Sequence, residues 1–360
     1  MYRLIKPLLF SLNPETAHHQ ALLWGKFVGK TFLAKPFTWC FNYEHASLKQ
    51  SLWGQTFANP VGLAAGFDKN ADLLDFLPSL GFGFLEIGSV TAKPSAGNPL
   101  PRVFRLPQDR ALINRLGLPN IGAQRVAEKL IKHPSAVPLG INIAKTPDPR
   151  CLGSLGVKDF AESFAKLGPL ADYVVLNISC PNTNDGKTFE ETEYLEELLN
   201  KISDEAKSQK IKKPILLKLS PDLTFQKLES LFAVSEKYNI GGFVVANTTQ
   251  ERTHLKTSSN LLRKIGAGGL SGAPLHSISV KMIQFVKRNL PKKIIIGVGG
   301  IFSSLEAYEK IKAGASLVQI YTGLIYQGPG LVKSINQGLV KLLKQEGYGS
   351  ITEAIGSTHR

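Results

Sequence analysis

Short apolar runs that end abruptly in polar or glycine residues recur along the chain. The clearest is Tyr173-Val174-Val175-Leu176, which is followed by Asn177-Ile178-Ser179-Cys180-Pro181-Asn182-Thr183. A short run rich in β-branched residues and bounded by turn residues is typical of a buried strand. Seven further runs share this design, at residues 60–65, 84–88, 139–144, 214–220, 242–246, 294–298 and 316–320. The pattern therefore predicts eight buried strands whose ends present polar side chains.

Amphipathic segments separate most of these runs, at residues 190–206, 223–238, 277–289 and 303–313. Strands that alternate with helices are typical of a parallel sheet. Eight such units indicate an α/β fold of the closed (β/α)8 TIM-barrel type, whose reactive residues lie at the C-terminal ends of the strands. The alternative is a doubly wound open sheet, which would have fewer strands and a Gly-x-Gly-x-x-Gly turn after the first one. That turn instead has the sequence Ala-Ala-Gly-Phe-Asp-Lys, at residues 64–69.

The N-terminal residues differ from the rest, because they are apolar with scattered lysines. Asn13, Pro14 and Glu15 fit an N-cap, a first helical position and an acidic first turn, and they predict a helix from Thr16 to about Gly29. No uncharged stretch here is long enough to cross a bilayer. An apolar helical pair edged with lysine fits a segment lying in a membrane interface. The alternative is a helix pair that caps the barrel or makes a dimer contact.

These differences predict two domains: an N-terminal helical extension at residues 1–45 and a barrel at residues 46–360. Residues 48–57 alternate in polarity around Gly54, which predicts a hairpin at the barrel floor. The full sequence contains no low-complexity tract, and its 43% hydrophobic and 20% charged content is that of a globular protein.

Cysteine content and charge narrow the class of protein further. Cys40, Cys151 and Cys180 have unrelated spacings, so we expect neither a disulfide framework nor a metal site. This cysteine usage also predicts that the protein resides in a reducing compartment. The formal net charge of +15 is spread along the chain without a nucleic-acid motif. Solvated surface charge is the favoured interpretation, with attraction to anionic small molecules and anionic lipid as a second one.

The segment after the Tyr173–Leu176 run carries candidate chemistry. Cys180 offers a possible proton acceptor with an ordinary pKa of about 8.5. Asn177 and Asn182 each carry two donors and an acceptor, which suits a planar ligand with imide-like edges. The alternative is purely structural: a small buried cysteine followed by ordinary turn residues.

Glycine-rich loops after the last two runs complete the candidate site. Gly297–Gly300 and Tyr321–Gly323 fit the phosphate position typical of a (β/α)8 barrel. Ala64-Ala65-Gly66 offers a flat surface for a ring system, and Lys218 lies inside an apolar run and needs an anionic partner. That partner is a flavin or a substrate anion, or alternatively a carboxylate within the barrel. Together with a cysteine base, these features suggest a flavin mononucleotide (FMN) dehydrogenase.

The ordered set of motifs in this chain resembles the dihydroorotate dehydrogenase family, in its membrane-associated, quinone-dependent class. The resemblance covers nearly the whole chain. It is carried by residues 13–18 (NPETAH), 64–69 (AAGFDK), 86–89 (EIGS), 101–105 (PRVFR), 113–115 (INR), 140–142 (GIN), 177–179 (NIS), 247–249 (NTT), 268–272 (GGLSG), 297–300 (GVGG), 314–322 (GASLVQIYT) and 353–360 (EAIGSTHR).

The resemblance implies oxidation of dihydroorotate to orotate through FMN in pyrimidine biosynthesis, with electrons passing to a membrane quinone. It implies a catalytic base at the position of Cys180. The implied flavin residues are Ala65, Gly66, Ser89, Asn142, Asn177, Lys218, Gly272, Gly300, Tyr321 and Thr322. The implied substrate residues are Lys69, Asn114, Arg115, Leu116, Gly117, Leu118, Asn177, Asn182, Asn247 and Thr248. The implied quinone residues are His18, Arg105 and Tyr321, in a protein peripheral to the cytoplasmic face of a bacterial inner membrane.

The chain departs from the quinone-dependent class at several of these positions. Cys180 stands where that class has a serine, Leu118 replaces an aromatic residue over the substrate, and Ala246 replaces a threonine beside the flavin. The same chemistry with fumarate or another soluble acceptor is therefore an alternative. A hypothesis of another kind is a lipid-surface module that keeps a flavin without turning it over.

Overall fold

A computed structural model of the protein describes residues 2–179 and 189–359, with Arg3 described in its backbone alone. The strands of this part of the chain are β1 (Gln50–Leu52), β2 (Gln55–Phe57), β3 (Val61–Leu63), β4 (Phe84–Val90), β5 (Val103–Leu106), β6 (Ala111–Asn114), β7 (Leu139–Ile143), β8 (Tyr173–Asn177), β9 (Ile215–Leu219), β10 (Gly242–Val245), β11 (Gly269–Gly272), β12 (Ile294–Val298) and β13 (Leu317–Ile320).

The α-helices of the same residues precede, connect and follow these strands. They are α1 (Tyr2–Ser11), α2 (Pro14–Gly29), α3 (Ala34–Phe41), α4 (Ala123–Lys132), α5 (Ser154–Leu167), α6 (Thr192–Ser208), α7 (Phe225–Lys237), α8 (Ser259–Ile265), α9 (His276–Asn289), α10 (Ser304–Ala313), α11 (Thr322–Gln327), α12 (Leu331–Gln345) and α13 (Ile351–Ala354).

Eight strands close into a parallel barrel in the order β3-β4-β7-β8-β9-β10-β12-β13. Each strand is one of the eight predicted apolar runs, so the (β/α)8 prediction is confirmed and the doubly wound alternative is wrong. The strands are buried on both faces because helices cover the outside and side chains fill the inside. Parallel closure brings all eight C-terminal ends to one rim, where the polar residues that follow the strands converge.

The opposite rim is closed by an aromatic cluster. Strands β1 and β2 form the predicted hairpin, with Gln50 opposite Phe57. Phe57 packs edge-on against Phe84 at a centroid distance of 5.6 Å, and the Trp53 ring lies 5.6 Å from that of Tyr173. Phe57, Phe84 and Tyr173 are fully buried. The hairpin therefore seals the floor of the barrel.

The N-terminal helices pack on the outside of the barrel near the polar rim. The Asn13 side chain accepts a hydrogen bond from the Glu15 amide at 2.9 Å, which confirms the predicted N-cap of α2. Helix α2 packs closely against the loop after β3 at Gly25, where an added Cβ would lie 2.7 Å from the Leu73 side chain. Lys26 pairs with Asp72 at 2.9 Å. The helices are thus fixed to the loop that follows β3.

A small antiparallel sheet, in the order β11-β6-β5, was not expected from the sequence. Its strands are only four residues long, and each is interrupted by polar or glycine residues. They pair residues far apart in the chain, such as Asn114 with Gly269, so no local pattern indicates them. This sheet positions one wall of the cavity described below.

Candidate active site

A large cavity opens at the C-terminal rim of the barrel, with an empty volume of about 1070 Å³ including its open mouth. Its walls come from the ends of most barrel strands and from the β11-β6-β5 sheet. The lining residues are Ala64, Ala65, Gly66, Lys69, Ser89, Asn114, Leu116, Gly117, Leu118, Pro119, Asn177, Lys218, Ala246, Asn247, Thr248, Ser271, Gly272, Leu275, Val298, Gly299, Gly300, Ile301, Gln319, Ile320, Tyr321, Thr322 and Gly323.

The cavity brings together nearly all residues in the implied flavin set. Nine of the ten line its wall. The tenth, Asn142, lies fully buried behind the wall, where its Oδ1 accepts a hydrogen bond from Ser89 Oγ at 2.5 Å. Asn177 and Lys218 are direct neighbours across the β8–β9 pairing, so an amide and a cation share one edge of the cavity.

Eight of the ten residues in the implied substrate set occupy the adjoining wall. Lys69, Asn114, Leu116, Gly117, Leu118, Asn177, Asn247 and Thr248 line the cavity. Arg115 does not: its guanidinium donates to the carbonyl of Ala267 at 2.9 Å and to that of Ile265, and it stacks on Phe104. The structure therefore places the Arg115 side chain outside the cavity lining, where it binds the segment at residues 265–267.

Two predicted residues cannot be placed in this cavity by geometry. Cys180 and Asn182 lie outside the described residues. Their neighbour Ser179 is buried, and its hydroxyl donates to the Lys218 carbonyl at 3.2 Å.

A chain of hydrogen bonds runs from the barrel interior to the cavity wall, and its first member was missed in the sequence. Glu86, fully buried on β4, accepts from Gln319 Nε2 at 2.6 Å and from Asn142 Nδ2 at 2.9 Å. From Asn142 the chain passes through Ser89 to Asn177, whose Nδ2 donates to Ser89 Oγ at 3.0 Å. The only signal for Glu86 in the sequence was an acidic residue inside an apolar run.

Lys69 is held at the cavity by its own loop. The buried Asp68 carboxylate accepts from the amides of Asp72 and Leu73 at 2.8 Å each, which fixes the turn after β3. Lys69 Nζ donates to the Gly66 carbonyl at 2.7 Å. Burial, which the Asp68 carboxylate partly opposes, lowers the pKa of Lys69 to about 8, and the positive charge of Arg102 contributes to this lowering. A desolvated ammonium on a cavity wall is suited to bind an anion.

The glycine loops at the far end of the cavity have backbone conformations that other residues rarely adopt. Gly300 has φ +70°, and a Cβ there would lie 2.6 Å from His276 Cβ. Gly272 has φ +108°, and its Cβ would lie 2.4 Å from the Arg110 carbonyl oxygen. Glycine is thus required at both positions, and it leaves the loop backbone open to a ligand.

The residues predicted for the quinone site lie where the N-terminal helices meet this cavity. The His18 ring packs edge-on against Phe67 at 5.0 Å, and Phe67 packs against Tyr321 at 5.8 Å. Burial and the charge of Lys69 lower the pKa of His18 to about 4, so it is neutral at pH 7. Burial raises the pKa of Tyr321 to about 12. These contacts bring His18 and Tyr321 to one region.

Arg105 reaches the same helices from β5. Its guanidinium donates to the Leu12 carbonyl at 2.7 Å and lies 4.7 Å from the centre of the Phe10 ring. Burial lowers the pKa of Arg105. The structure thus places Arg105 under the junction of α1 and α2, in contact with the backbone there.

The N-terminal helices expose many large apolar side chains. Leu4 on α1 and Trp39 on α3 are 82% and 86% exposed, and Phe32, in the turn between α2 and α3, is 80% exposed. The other exposed large apolar residues of α1 and α2 are Ile5, Leu8, Leu23, Trp24 and Phe27. Among the helices that the structure describes, none has the length and apolar character needed to cross a membrane. Within the described ranges, no group of three or more His, Cys, Asp or Glu residues is arranged to hold a metal ion.

Comparison with known proteins shows similarity along the whole chain. Residues 47–343 match the family model described as dihydroorotate dehydrogenase. The chain is 42% identical to the dihydroorotate dehydrogenase (quinone) of Natronomonas pharaonis, with 99% of each chain covered. It is 40% identical to that of Nocardia farcinica, covering 100% of this chain and 98% of the relative. The crystal structure of DHODH from Eimeria tenella in complex with ferulenol matches with a TM-score of 0.87, 32% identity and 99% coverage of both chains.

Proposed function

Because the chain belongs to the dihydroorotate dehydrogenase family, we propose for it the reaction of a quinone-dependent dihydroorotate dehydrogenase. It oxidises dihydroorotate to orotate on a bound flavin and passes the electrons to a quinone. The names of its relatives favour quinone over the fumarate alternative. The structural observation that carries the proposal is the convergence of Lys69, Lys218 and the amides of Asn177 and Asn247 in one cavity.

The residues of this cavity fit FMN. Lys218 is a buried cation beside the Asn177 amide, and such a pair suits the polar edge of a flavin ring. The Gly299–Gly300 and Tyr321–Gly323 backbones would hold the phosphate, as the last two loops of this fold commonly do. Ala65 and Gly66 leave a flat wall for the ring. FMN, when bound, would accept a hydride equivalent, a reaction that no protein side chain can perform.

Dihydroorotate would lie between this flavin wall and Lys69. The ammonium of Lys69 binds its carboxylate, and the amides of Asn114, Asn177 and Asn247 bind the edges of its ring. Cys180, which follows β8 by three residues, removes the proton from C5 of the substrate as C6 gives up its hydride. The support for Cys180 is its place in the sequence, three residues after the cavity residue Asn177 at the end of β8.

We assign residues 1–45 to quinone access and to reversible membrane binding, with residues 46–360 as the catalytic barrel. The support is the exposed apolar surface of α1–α3 and the packing of His18 toward Tyr321 through Phe67. Neutral His18 can exchange a hydrogen bond with a quinone head group without carrying charge into an apolar tunnel. The location that follows is peripheral, on the cytoplasmic face of a bacterial inner membrane.

The deciding experiment is an anaerobic titration of the purified protein with dihydroorotate, monitored through the flavin absorbance. We expect a yellow protein that bleaches with dihydroorotate and is re-oxidised by a quinone but not by fumarate. Heat-released cofactor should be FMN. A protein without flavin, or one that dihydroorotate leaves yellow, would refute the proposal, whereas re-oxidation by fumarate alone would refute the acceptor.

A further inference from the structure

The amides of Asn177 and Asn247 must present the correct ends to a ligand, since an amide is a donor at one end and an acceptor at the other. Asn247 is oriented locally, because its Nδ2 donates to the Ser179 carbonyl at 3.2 Å and its Oδ1 accepts from the Thr248 amide at 2.9 Å. Asn177 Oδ1 accepts from Asn247 Nδ2 at 3.3 Å, and Asn177 Nδ2 donates to Ser89 Oγ at 3.0 Å. The orientation of the Asn177 amide therefore depends on which way the Ser89 hydroxyl points.

The Ser89 hydroxyl is in turn directed by Asn142. Its single proton is donated to Asn142 Oδ1 at 2.5 Å, which leaves its lone pairs free to accept from Asn177. Asn142 presents Oδ1 to Ser89 because its Nδ2 is engaged on the other side by Glu86, at 2.9 Å. Asn142 is fully buried, so water cannot supply a substitute partner.

Glu86 determines the donor-to-acceptor direction of this series of hydrogen bonds. Both oxygens of its carboxyl group accept hydrogen bonds, so the two neighbouring amides must turn their NH2 groups toward it. Asn142 and Gln319 do so. The later donors point back toward Glu86 as well: Ser89 donates to Asn142, and Asn177 donates to Ser89.

We propose that Glu86 is a positioning residue, which orients the substrate-recognising amide of Asn177 through Asn142 and Ser89. It touches neither ligand itself. This inference rests on the proposed function, because it concerns how the same cavity recognises the ring of dihydroorotate and orotate. Its specific consequence is that substitutions at Glu86 and Ser89 weaken orotate binding through one shared route.

The test is a double-mutant cycle on flavin-loaded protein, with the dissociation constant for orotate measured from the perturbation of flavin absorbance. We expect Glu86→Leu and Ser89→Ala each to weaken binding by roughly tenfold to a hundredfold, the effect of losing a buried hydrogen-bond partner. The double variant should bind orotate no more weakly than the weaker-binding single variant, because either substitution alone already breaks the series of hydrogen bonds. Effects that multiply would contradict the shared route.

Glu86→Gln is the conservative variant that separates positioning from mere burial. Glutamine keeps one acceptor for Asn142, and Gln319 can turn its Oε1, which has no partner among the described residues, toward the new amide. We expect orotate binding within about threefold of wild type. Ser163→Ala is the matched control, since it removes a fully buried hydroxyl on α5 that takes no part in these hydrogen bonds. Weak binding by Ser163→Ala, or by Glu86→Gln to the same degree as Glu86→Leu, would overturn the proposal.

Two further outcomes are also decisive. If Glu86→Leu does not fold, Glu86→Asp takes its place in the cycle, since it keeps the charge but withdraws the carboxylate by one methylene. Wild-type affinity for orotate in Ser89→Ala contradicts the proposal by itself, because the series of hydrogen bonds is then broken without any effect on binding. Wild-type protein that dihydroorotate bleaches, combined with multiplicative variants, would reject this inference while leaving the proposed function intact.

Discussion

Lys69 Nζ donates to the carbonyl oxygen of Gly66 at 2.7 Å, and this is its hydrogen bond on the cavity side of the loop. The same oxygen also accepts from the Tyr321 hydroxyl at 3.3 Å. The ammonium is therefore held in place by a neutral partner rather than by a carboxylate. An incoming anion can take over this ammonium without first displacing an ion pair, which is the arrangement expected of a carboxylate-binding lysine.

Lys69→Met should abolish tight binding of dihydroorotate while leaving the flavin in place. A charge-assisted hydrogen bond in a partly enclosed site contributes about 2–3 kcal/mol, so we expect KM to rise roughly thirtyfold to a hundredfold or more. Steady-state kinetics of flavin reduction measures this. Lys166→Met, which removes only a surface lysine paired with Glu162, is the control and should behave as wild type. An unchanged KM in Lys69→Met would remove this residue from the substrate site.

Binding of orotate should weaken as the pH rises through about 8. The pKa of Lys69 is lowered to about 8 by burial, so in the free protein its charge is present below that pH and is lost above it. The apparent dissociation constant should be flat from pH 6 to about 7.5 and then rise toward tenfold per pH unit. Lys69→Met should lack this rise. A wild-type profile that is flat to pH 10 would assign the anion to another group.

Polar substitutions on the N-terminal helices should reduce membrane binding without affecting the chemistry of the barrel. Phe32 and Trp39 are 80% and 86% exposed, so Phe32→Gln and Trp39→Gln remove apolar surface at little cost to folding. We expect weaker flotation with lipid vesicles and slower turnover with a bilayer quinone, but normal bleaching by dihydroorotate. Leu305→Gln, at a 59% exposed position on α10, is the control. Equal loss of flotation in the control would reject the assigned surface.

Cys180→Ala should slow flavin reduction by about 10²–10⁴-fold, the effect of losing a positioned general base. Dihydroorotate binding should be largely retained. Cys180→Ser should keep more activity, with its pH optimum moved upward because a hydroxyl loses its proton less readily than a thiol. Stopped-flow bleaching across pH measures both variants. Near-normal bleaching by Cys180→Ala would return this cysteine to a structural role.

Gly300→Ala should impair flavin retention more than folding. The added Cβ would lie 2.6–2.8 Å from His276 atoms and would occupy a backbone conformation at φ +70°, so the loop must shift. We expect purified protein with a low flavin content and a melting temperature that excess FMN raises. Gly266→Ala, where φ is +73° but nothing lies within 4 Å of the new Cβ, controls for backbone strain alone. Full flavin occupancy in Gly300→Ala would show that this loop does not contact the phosphate.

The barrel was predictable because its strands are buried on both faces and therefore stand out as apolar runs with polar ends. The β11-β6-β5 sheet was not, because its pairing joins segments more than 150 residues apart, such as Ile113 and Leu270. Composition of four-residue strands carries too little information to indicate such a pairing. The sequence therefore predicts the fold but not the wall that completes the cavity.

The candidate site shows the same division. Asn114 and Arg115 are adjacent, and the family motif treats them together, yet successive side chains of an extended chain point to opposite sides. Asn114 consequently faces the cavity, while Arg115 faces the carbonyls of Ile265 and Ala267. Glu86 was overlooked for a related reason, since its two partners, Asn142 and Gln319, come from strands distant in sequence.

The aromatic floor formed by Trp53, Phe57, Phe84 and Tyr173 closes the barrel at the end opposite the cavity. A molecule that reaches the cavity cannot leave through the other end, because fully buried rings block that route. Reactant and product must therefore use the same rim, and the order in which molecules arrive and depart is governed by the loops and helices there. Whether two molecules can occupy the cavity at the same time therefore depends on the residues at this rim and not on the strands of the barrel.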